Sequence, residues 1–414
     1  MTMKTNPNHF PRRILLATVG GTAQVITETL YAINKDGLPW PDEIRVITTL
    51  LGKEKVQKGL LIEGHLDRLC QELGRDRPVF DEAQILIIPD ANGQPVDDAR
   101  SLADHEALGD FIMTQVRDIT ADEKTMLHAS LAGGRKTMTF YLGYAMSLFG
   151  RSQDTLSHVL VSERFENLPD FWYPSQLQGD LEKKLRTGEL LVLKSADAQV
   201  TLAQIPFMRL HQDLPKAMRE VGKTIKLTDL IQRMNMGNSP DSIRLRIDRS
   251  KGQLVIWSAE VGEKSQVLIS LNKLELAFYV MCYRGVIDNV PVRRPQRDTR
   301  DVVLMKRFLD ELLALCGLPR QEKWADALDA LEKWGELHDP DLQRSVNALG
   351  DNTEGAGITP TWFDQRRNTL KDLLMQQLPK SVVDEILPSS EGRGGSYTIQ
   401  LQRENITLVA LESV

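Results

Sequence analysis

Two stretches of this 414-residue chain carry side chains suited to holding phosphate. In HASLAGGRKTMT, residues 128–139, Gly133 and Gly134 precede Arg135, Lys136 and Thr137. A backbone bend at the glycines would free N–H groups beside two cations at a helix start, which is an anion cradle. Arg135 can grip a phosphate with two parallel hydrogen bonds, and Lys136 acts as a point charge. The second stretch, Thr18-Val19-Gly20-Gly21-Thr22, offers two hydroxyls and backbone donors, with Gln24 one turn further on. Neither stretch fits a better-known phosphate motif. The Walker pattern needs a glycine directly before the lysine, where Arg135 stands, and GGTAQ does not satisfy GxGxxG. No acidic residue at a strand end is placed to hold a ribose, so a dinucleotide cofactor is not expected.

The elements that would position these residues are legible on both sides of them. ILLATV, residues 14–19, is a continuous apolar run broken by Gly20-Gly21 before the helical pattern AQVITETLYAINKDG. A buried strand, a glycine turn and a helix in that order open a βαβ unit. Further strands are predicted at 43–50, 83–89, 124–131, from about 156, and at 200–210. Helices are predicted at about 53–73, over SLADHEALGDFIMTQVRDIT, and over TMTFYLGYAMSLFG. This alternation predicts an N-terminal, Rossmann-like, doubly wound α/β sheet over residues 1–213. Both glycine bends fall where strands stop, so they are expected to meet across one crevice at the carboxyl edge of the sheet.

Composition narrows the function classes. The chain is 41 % hydrophobic and 26 % charged with a net charge of -6, which fits a globular protein and disfavours nucleic-acid coating by global charge. Its length predicts two or three domains. Cys70, Cys282 and Cys316 lie far apart with no metal-binding or disulfide spacing, so free thiols and a cytoplasmic location are expected, with no cofactor and no metal. No stretch approaches the length of a membrane span.

ATVGGTAQVITETLYAI and HASLAGGRKTMTFYLGYAMSLFG, with LSHVLVSERFENLPDFWYP after them, together resemble a minor CRISPR-associated family with an N-terminal CARF domain, over roughly residues 12–212. The resemblance implies a homodimeric sensor of cyclic oligoadenylate, and some members of the group are ring nucleases that cleave it. A ring of phosphates with approximate two-fold symmetry suits a symmetric dimer that offers the same cradle to both halves. Cleavage of cyclic tetra-adenylate needs no metal if a ribose 2′-hydroxyl attacks the neighbouring phosphodiester in line, leaving linear products with a 2′,3′-cyclic phosphate. Lys136 is then the expected stabiliser of charge on the phosphorus oxygens. Thr18 and Thr22 are expected to orient ribose or phosphate, with Ser130 behind them. Gly20, Gly21, Gln24, Gly133, Gly134, Arg135 and Thr137 complete the expected ligand contacts. His128, a tempting general base, is expected to be a satisfied core histidine.

The composition changes near Leu214-Pro215. A middle region over 214–345 contains a strand pair around GQLVIWSAEV and SQVLISL. After a flexible link at 344–360, a helix and a terminal hairpin formed by GGSYTIQLQ and NITLVAL suggest a winged-helix-like module over 346–414. The HEPN ribonuclease signature, Arg followed four to six residues later by His, is absent from this half. Arg151 and His158 have that spacing but straddle a predicted turn and strand inside the first domain, and are read as coincidence. Asp170, Glu182 and Lys184 imitate a metal-dependent nuclease pattern, but LEKKLRTG reads as a solvated helix. A nucleic-acid or protein partner for the C-terminal half is the alternative function. Its candidate contacts are Arg293, Arg294, Arg297 and Arg300 in a loop and Arg366, Arg367 and Lys371 on a helix.

Overall fold

The structure is a computed structural model that describes residues 10–97, 101–166, 168–184, 189–220, 226–263, 266–350, 355–390, 392 and 394–411. The chain divides into two compact units, residues 1–214 with 219–228, and residues 215–218 with 229–414.

In the first unit β1 (Arg12–Thr18), α1 (Gln24–Lys35), β2 (Glu43–Thr48), α2 (Leu50–Val56), α3 (His65–Leu73), β3 (Ile85–Ile87), α4 (Leu102–Thr120), β4 (Thr125–Ser130), α5 (Lys136–Phe149) and β5 (Thr155–Val161) alternate. A hairpin of β6 (Asp180–Lys184) and β7 (Leu190–Lys194) follows, and then β8 (Val200–Gln204). The main sheet has the order β3-β2-β1-β4-β5-β8, parallel except for β8 against β5. The α/β fold class expected from the alternation is present. Ile14, Leu15, Leu16 and Ala17 are all buried, as a strand covered on both faces requires. Strand order reverses between β1 and β4, so the switch point of the sheet lies between the two glycine bends.

Two local expectations change. The helix expected over 53–73 is interrupted by a π-helical stretch, Gln57–Ile62, and by Gly64 at a left-handed φ of 70°. Gly59 lies under the Trp172 ring, where a Cβ would approach Cη2 to 2.1 Å. LEKKLRTG is not a helix. Its described part is β6, because Leu181 packs inward opposite Leu193 while Glu182 faces solvent. Residues 185–188 lie outside the described residues. Exposed Glu182 and Asp170 do not form the buried carboxylate pair of a metal-dependent nuclease.

Between these elements and the second sheet run α6 (Lys216–Arg219) and α7 (Leu227–Met236). The second unit is built on β9 (Ile243–Asp248), β10 (Gln253–Ser258), β11 (Val267–Ser270), α8 (Lys273–Ile287), α9 (Val302–Leu315), α10 (Trp324–His338), α11 (Pro340–Asn347), α12 (Pro360–Gln377), α13 (Lys380–Ile386), β12 (Ser389–Ser390), β13 (Tyr397–Thr398) and β14 (Ile406–Val409). The strand pair expected around 253–270 is β10 with β11. The expected terminal hairpin does not form: β13 pairs with β12, and β14 runs parallel to β9 at the edge of a sheet of order β11-β10-β9-β14. The α12 rings Trp362 and Phe363 pack on Phe278 of α8 and Phe308 of α9 in the unit's large core. Within the expected link at 344–360, α11 occupies the start, and 351–354 lie outside the described residues.

Candidate functional site

The crevice is formed where β1, β2 and β4 end. Thr18 closes β1, and Gly20 and Gly21 let the chain turn into α1. Ser130 closes β4, and the chain turns through Gly133 and Gly134, the latter at a φ of 91° that favours glycine, into α5. The two bends touch. The Thr18 hydroxyl donates to the Gly133 carbonyl at 2.6 Å. A Cβ on Gly133 would lie 2.7 Å from the Thr18 carbonyl oxygen, and one on Gly20 would lie 3.3 Å from the Gly134 Cα. Glycine is required here for close backbone approach more than for conformational freedom.

Gly20, Gly133 and Thr137 are half-buried, while Gly21, Thr22, Gly134, Arg135 and Lys136 are exposed. The α5 N-terminus thus presents the basic pair to solvent. Gln24 opens α1, and its side-chain amide donates to the Pro169 carbonyl at 2.8 Å. Thr18 and Ser130 do not present hydroxyls at the crevice. Thr18 is 0 % and Ser130 1 % exposed. The Thr18 hydroxyl is spent on the Gly133 carbonyl, and the Ser130 hydroxyl lies 3.4 Å from that of Thr29. Both hold the bends in place from behind. His128 Nε2 is 2.7 Å from the Ser157 hydroxyl, and burial lowers its pKa to about 4, so the ring is neutral near pH 7. Arg151 is tied to Asp154, which is fully buried, and to the Asp122 and Thr125 carbonyls, which accounts for it structurally.

A third turn, not among the sequence-based expectations, completes this edge. Thr49 caps α2, and the Thr48 hydroxyl donates to the Val19 carbonyl at 2.7 Å. A Cβ on Gly52 would collide with the Thr48 hydroxyl at 2.0 Å and reach the Gly20 carbonyl at 3.0 Å, so α2 is pressed against the first bend. This brings Lys55 Nζ to 3.6 Å from where a Gly21 Cβ would stand. The signal was present as Thr49 with Gly52 three residues on, but the strand expected at 43–50 absorbed the cap. None of α1, α2 and α5 has an acidic residue in its first turn. Helix N-termini favour negative side chains, so Arg135 and Lys136 at the start of α5 run against the local dipole. An anion at the crevice would reconcile them.

The family model for CRISPR-associated protein NE0113 matches residues 22–236, a span containing the second bend and the start of α1. The chain belongs to this CRISPR-associated family. No curated protein matches it. The part shared with the NE0113 family therefore includes the turn carrying Arg135 and Lys136 and reaches past the end of the first sheet. Among the described residues, no helix is long and apolar enough to cross a membrane, and no group of three His, Cys, Asp or Glu side chains is arranged to hold a metal ion.

Proposed function

We propose that this member of the NE0113 family is a CARF-type protein that binds cyclic oligoadenylate across a homodimer and cleaves cyclic tetra-adenylate. The observation that carries the reading is the basic pair Arg135-Lys136 at the mouth of two interlocked glycine bends, on a helix N-terminus where cations are otherwise unfavourable. In the proposed reaction a ribose 2′-oxygen attacks the adjacent phosphorus and loses its proton. The P–O5′ bond breaks, and the departing 5′-oxygen takes up a proton. The products are a 2′,3′-cyclic phosphate and a 5′-hydroxyl. Lys136 stabilises charge on the non-bridging oxygens. Arg135, Lys55 and the backbone donors of the bends hold the neighbouring phosphates. Thr22, exposed beside Gly21, is the remaining hydroxyl for orienting the sugar. Turnover of the ring would end a CRISPR signalling response in the cytoplasm.

A second reading keeps binding and drops cleavage: a ring-gated regulator whose C-terminal unit contacts nucleic acid or protein. It is favoured by the burial of Thr18 and Ser130, which removes two of the hydroxyls a cleaving site would use. Incubation of excess purified protein with radiolabelled cyclic tetra-adenylate in EDTA separates the two. Linear product ending in a 2′,3′-cyclic phosphate is expected. A ring that is bound yet intact after prolonged single-turnover incubation would favour the regulator, and absence of binding would remove both.

A further inference from the structure

Four arginines of the second unit converge on one cavity of about 430 Å³. Arg249 follows β9, Arg284 lies in the last turn of α8, Arg307 is on α9, and Arg320 follows α9. Their fixed acceptors are few. Glu311, 7 % exposed, takes Arg249 at 3.3 Å and Arg284 at 3.0 Å. Asp310 takes Arg320 at 3.0 Å and also Lys306. Arg307 makes no ion pair among the described residues and passes α8 at Gly285, where a Cβ would stand 3.3 Å from its Nη2. Arg249 is only 9 % exposed, and its Nε–H is buried without a hydrogen-bond partner. A buried donor with no acceptor is unfavourable. Four arginines thus face three carboxylates, Glu311, Asp310 and Asp288, of which the first two are each already shared by two cations. Met281 and Ala314 add an apolar part to the lining.

We propose that this cavity is a second anion site, built for a phosphate-bearing small molecule of mononucleotide size. Guanidinium donors in fork geometry match phosphate oxygens, and the volume is within the ~300–1,000 Å³ usual for small-ligand pockets. The oxyanion accepts from the guanidinium groups of Arg307 and Arg249, with Arg284 and Arg320 at the rim, and the remainder of the ligand lies against Met281 and Ala314. The site does not depend on what the first unit binds.

Calorimetric titration of the full chain with inorganic phosphate and with 5′-AMP tests this, with Lys55→Glu, Arg135→Glu and Lys136→Glu in the background to suppress binding at the first unit's cradle. Both probes are expected to bind, 5′-AMP more tightly, and Arg307→Glu should weaken each by about tenfold or more. Should Arg307→Glu lose its folded circular-dichroism spectrum, Arg320→Glu, on a side chain that is 80 % exposed, is expected to weaken binding about threefold. No heat with either probe at about 10 mM, or affinities within about twofold of the parent in the folded variant, overturns the proposal.

Discussion

Replacing Gly133 by alanine tests whether close contact between the bends holds the crevice together. The new Cβ would stand 2.7 Å from the Thr18 carbonyl oxygen and 3.0 Å from Val25 Cγ2. A carbon settles at about 3.3–3.6 Å from a carbonyl oxygen, so the bends must separate by more than half an ångström. That movement stretches the 2.6 Å bond from Thr18 to the Gly133 carbonyl. Overpacking of this kind destabilises by about 1–3 kcal/mol, whereas removing glycine freedom from the unfolded chain contributes only about 0.4–1 kcal/mol in return. The net expectation is a loss of about 1–2 kcal/mol in the first unit, together with weaker ring binding. Gly20→Ala meets Gly134 Cα at 3.3 Å and should come out near zero, and Gly21→Ala meets only Lys55 Nζ at 3.6 Å and should be neutral or slightly stabilising. Urea unfolding of the three variants, followed by tryptophan fluorescence, gives the order directly, and calorimetry with cyclic tetra-adenylate gives the binding. If Gly133→Ala were as stable as Gly21→Ala, the contact between the bends would not be the organising feature described here.

Other perturbations address single groups. Lys136→Ala should slow ring cleavage at saturating ring by about a hundredfold or more while binding falls less, and weakened affinity with an unchanged saturating single-turnover rate would assign Lys136 to binding alone. Lys55→Ala should lower ring affinity by about tenfold at low salt, with a smaller loss at high salt, and a salt-independent effect would exclude a direct charge role. Glu28 is raised to about 7 by burial, with the charge of Glu166 adding to it. Between pH 4.5 and 7 the unfolded chain has released this proton and the folded chain retains it, so stability falls by about 3 kcal/mol as pH rises through that window. Glu28→Gln should flatten that part of the profile and be the more stable protein at pH 8 by denaturant titration; parallel profiles would contradict the assignment. Arg366→Ala leaves the nearly inaccessible Glu275 carboxylate without its 2.7 Å partner and should destabilise the second unit by about 3–5 kcal/mol, a loss that surface contact with DNA would not produce.

The alternation of apolar runs with helical patterns was sufficient to place the first sheet, and the position of both glycine bends at strand ends was enough to bring them together. What was not legible came from contacts between distant segments. Thr18 and Ser130 look available in one dimension, because nothing local shows that Gly133 and Thr29 will cover them. Lys55 is an unremarkable helix lysine until Gly52 folds under the first bend. Arg366 and Arg367, which resemble part of an exposed basic face, turn inward because Glu275 and the Pro388 carbonyl receive them. Arg294 is likewise held by Asp364 through two 2.8 Å bonds. The cavity around Arg249, Arg284, Arg307 and Arg320 has no sequence motif, since its members come from both sides of α8 and α9.

The pairing of β14 with β9 also has a consequence for biosynthesis. The partner of Leu245–Asp248 is Ile406–Val409, supplied only after all of α8 to α13 has been made. At roughly 5–20 residues per second the ribosome leaves this strand edge open for on the order of ten seconds. The first sheet needs nothing beyond Gln204 to pair its strands, so it can form while the second is still waiting. During that interval the unpaired β9 edge is open to pairing with a neighbouring chain on the same polysome.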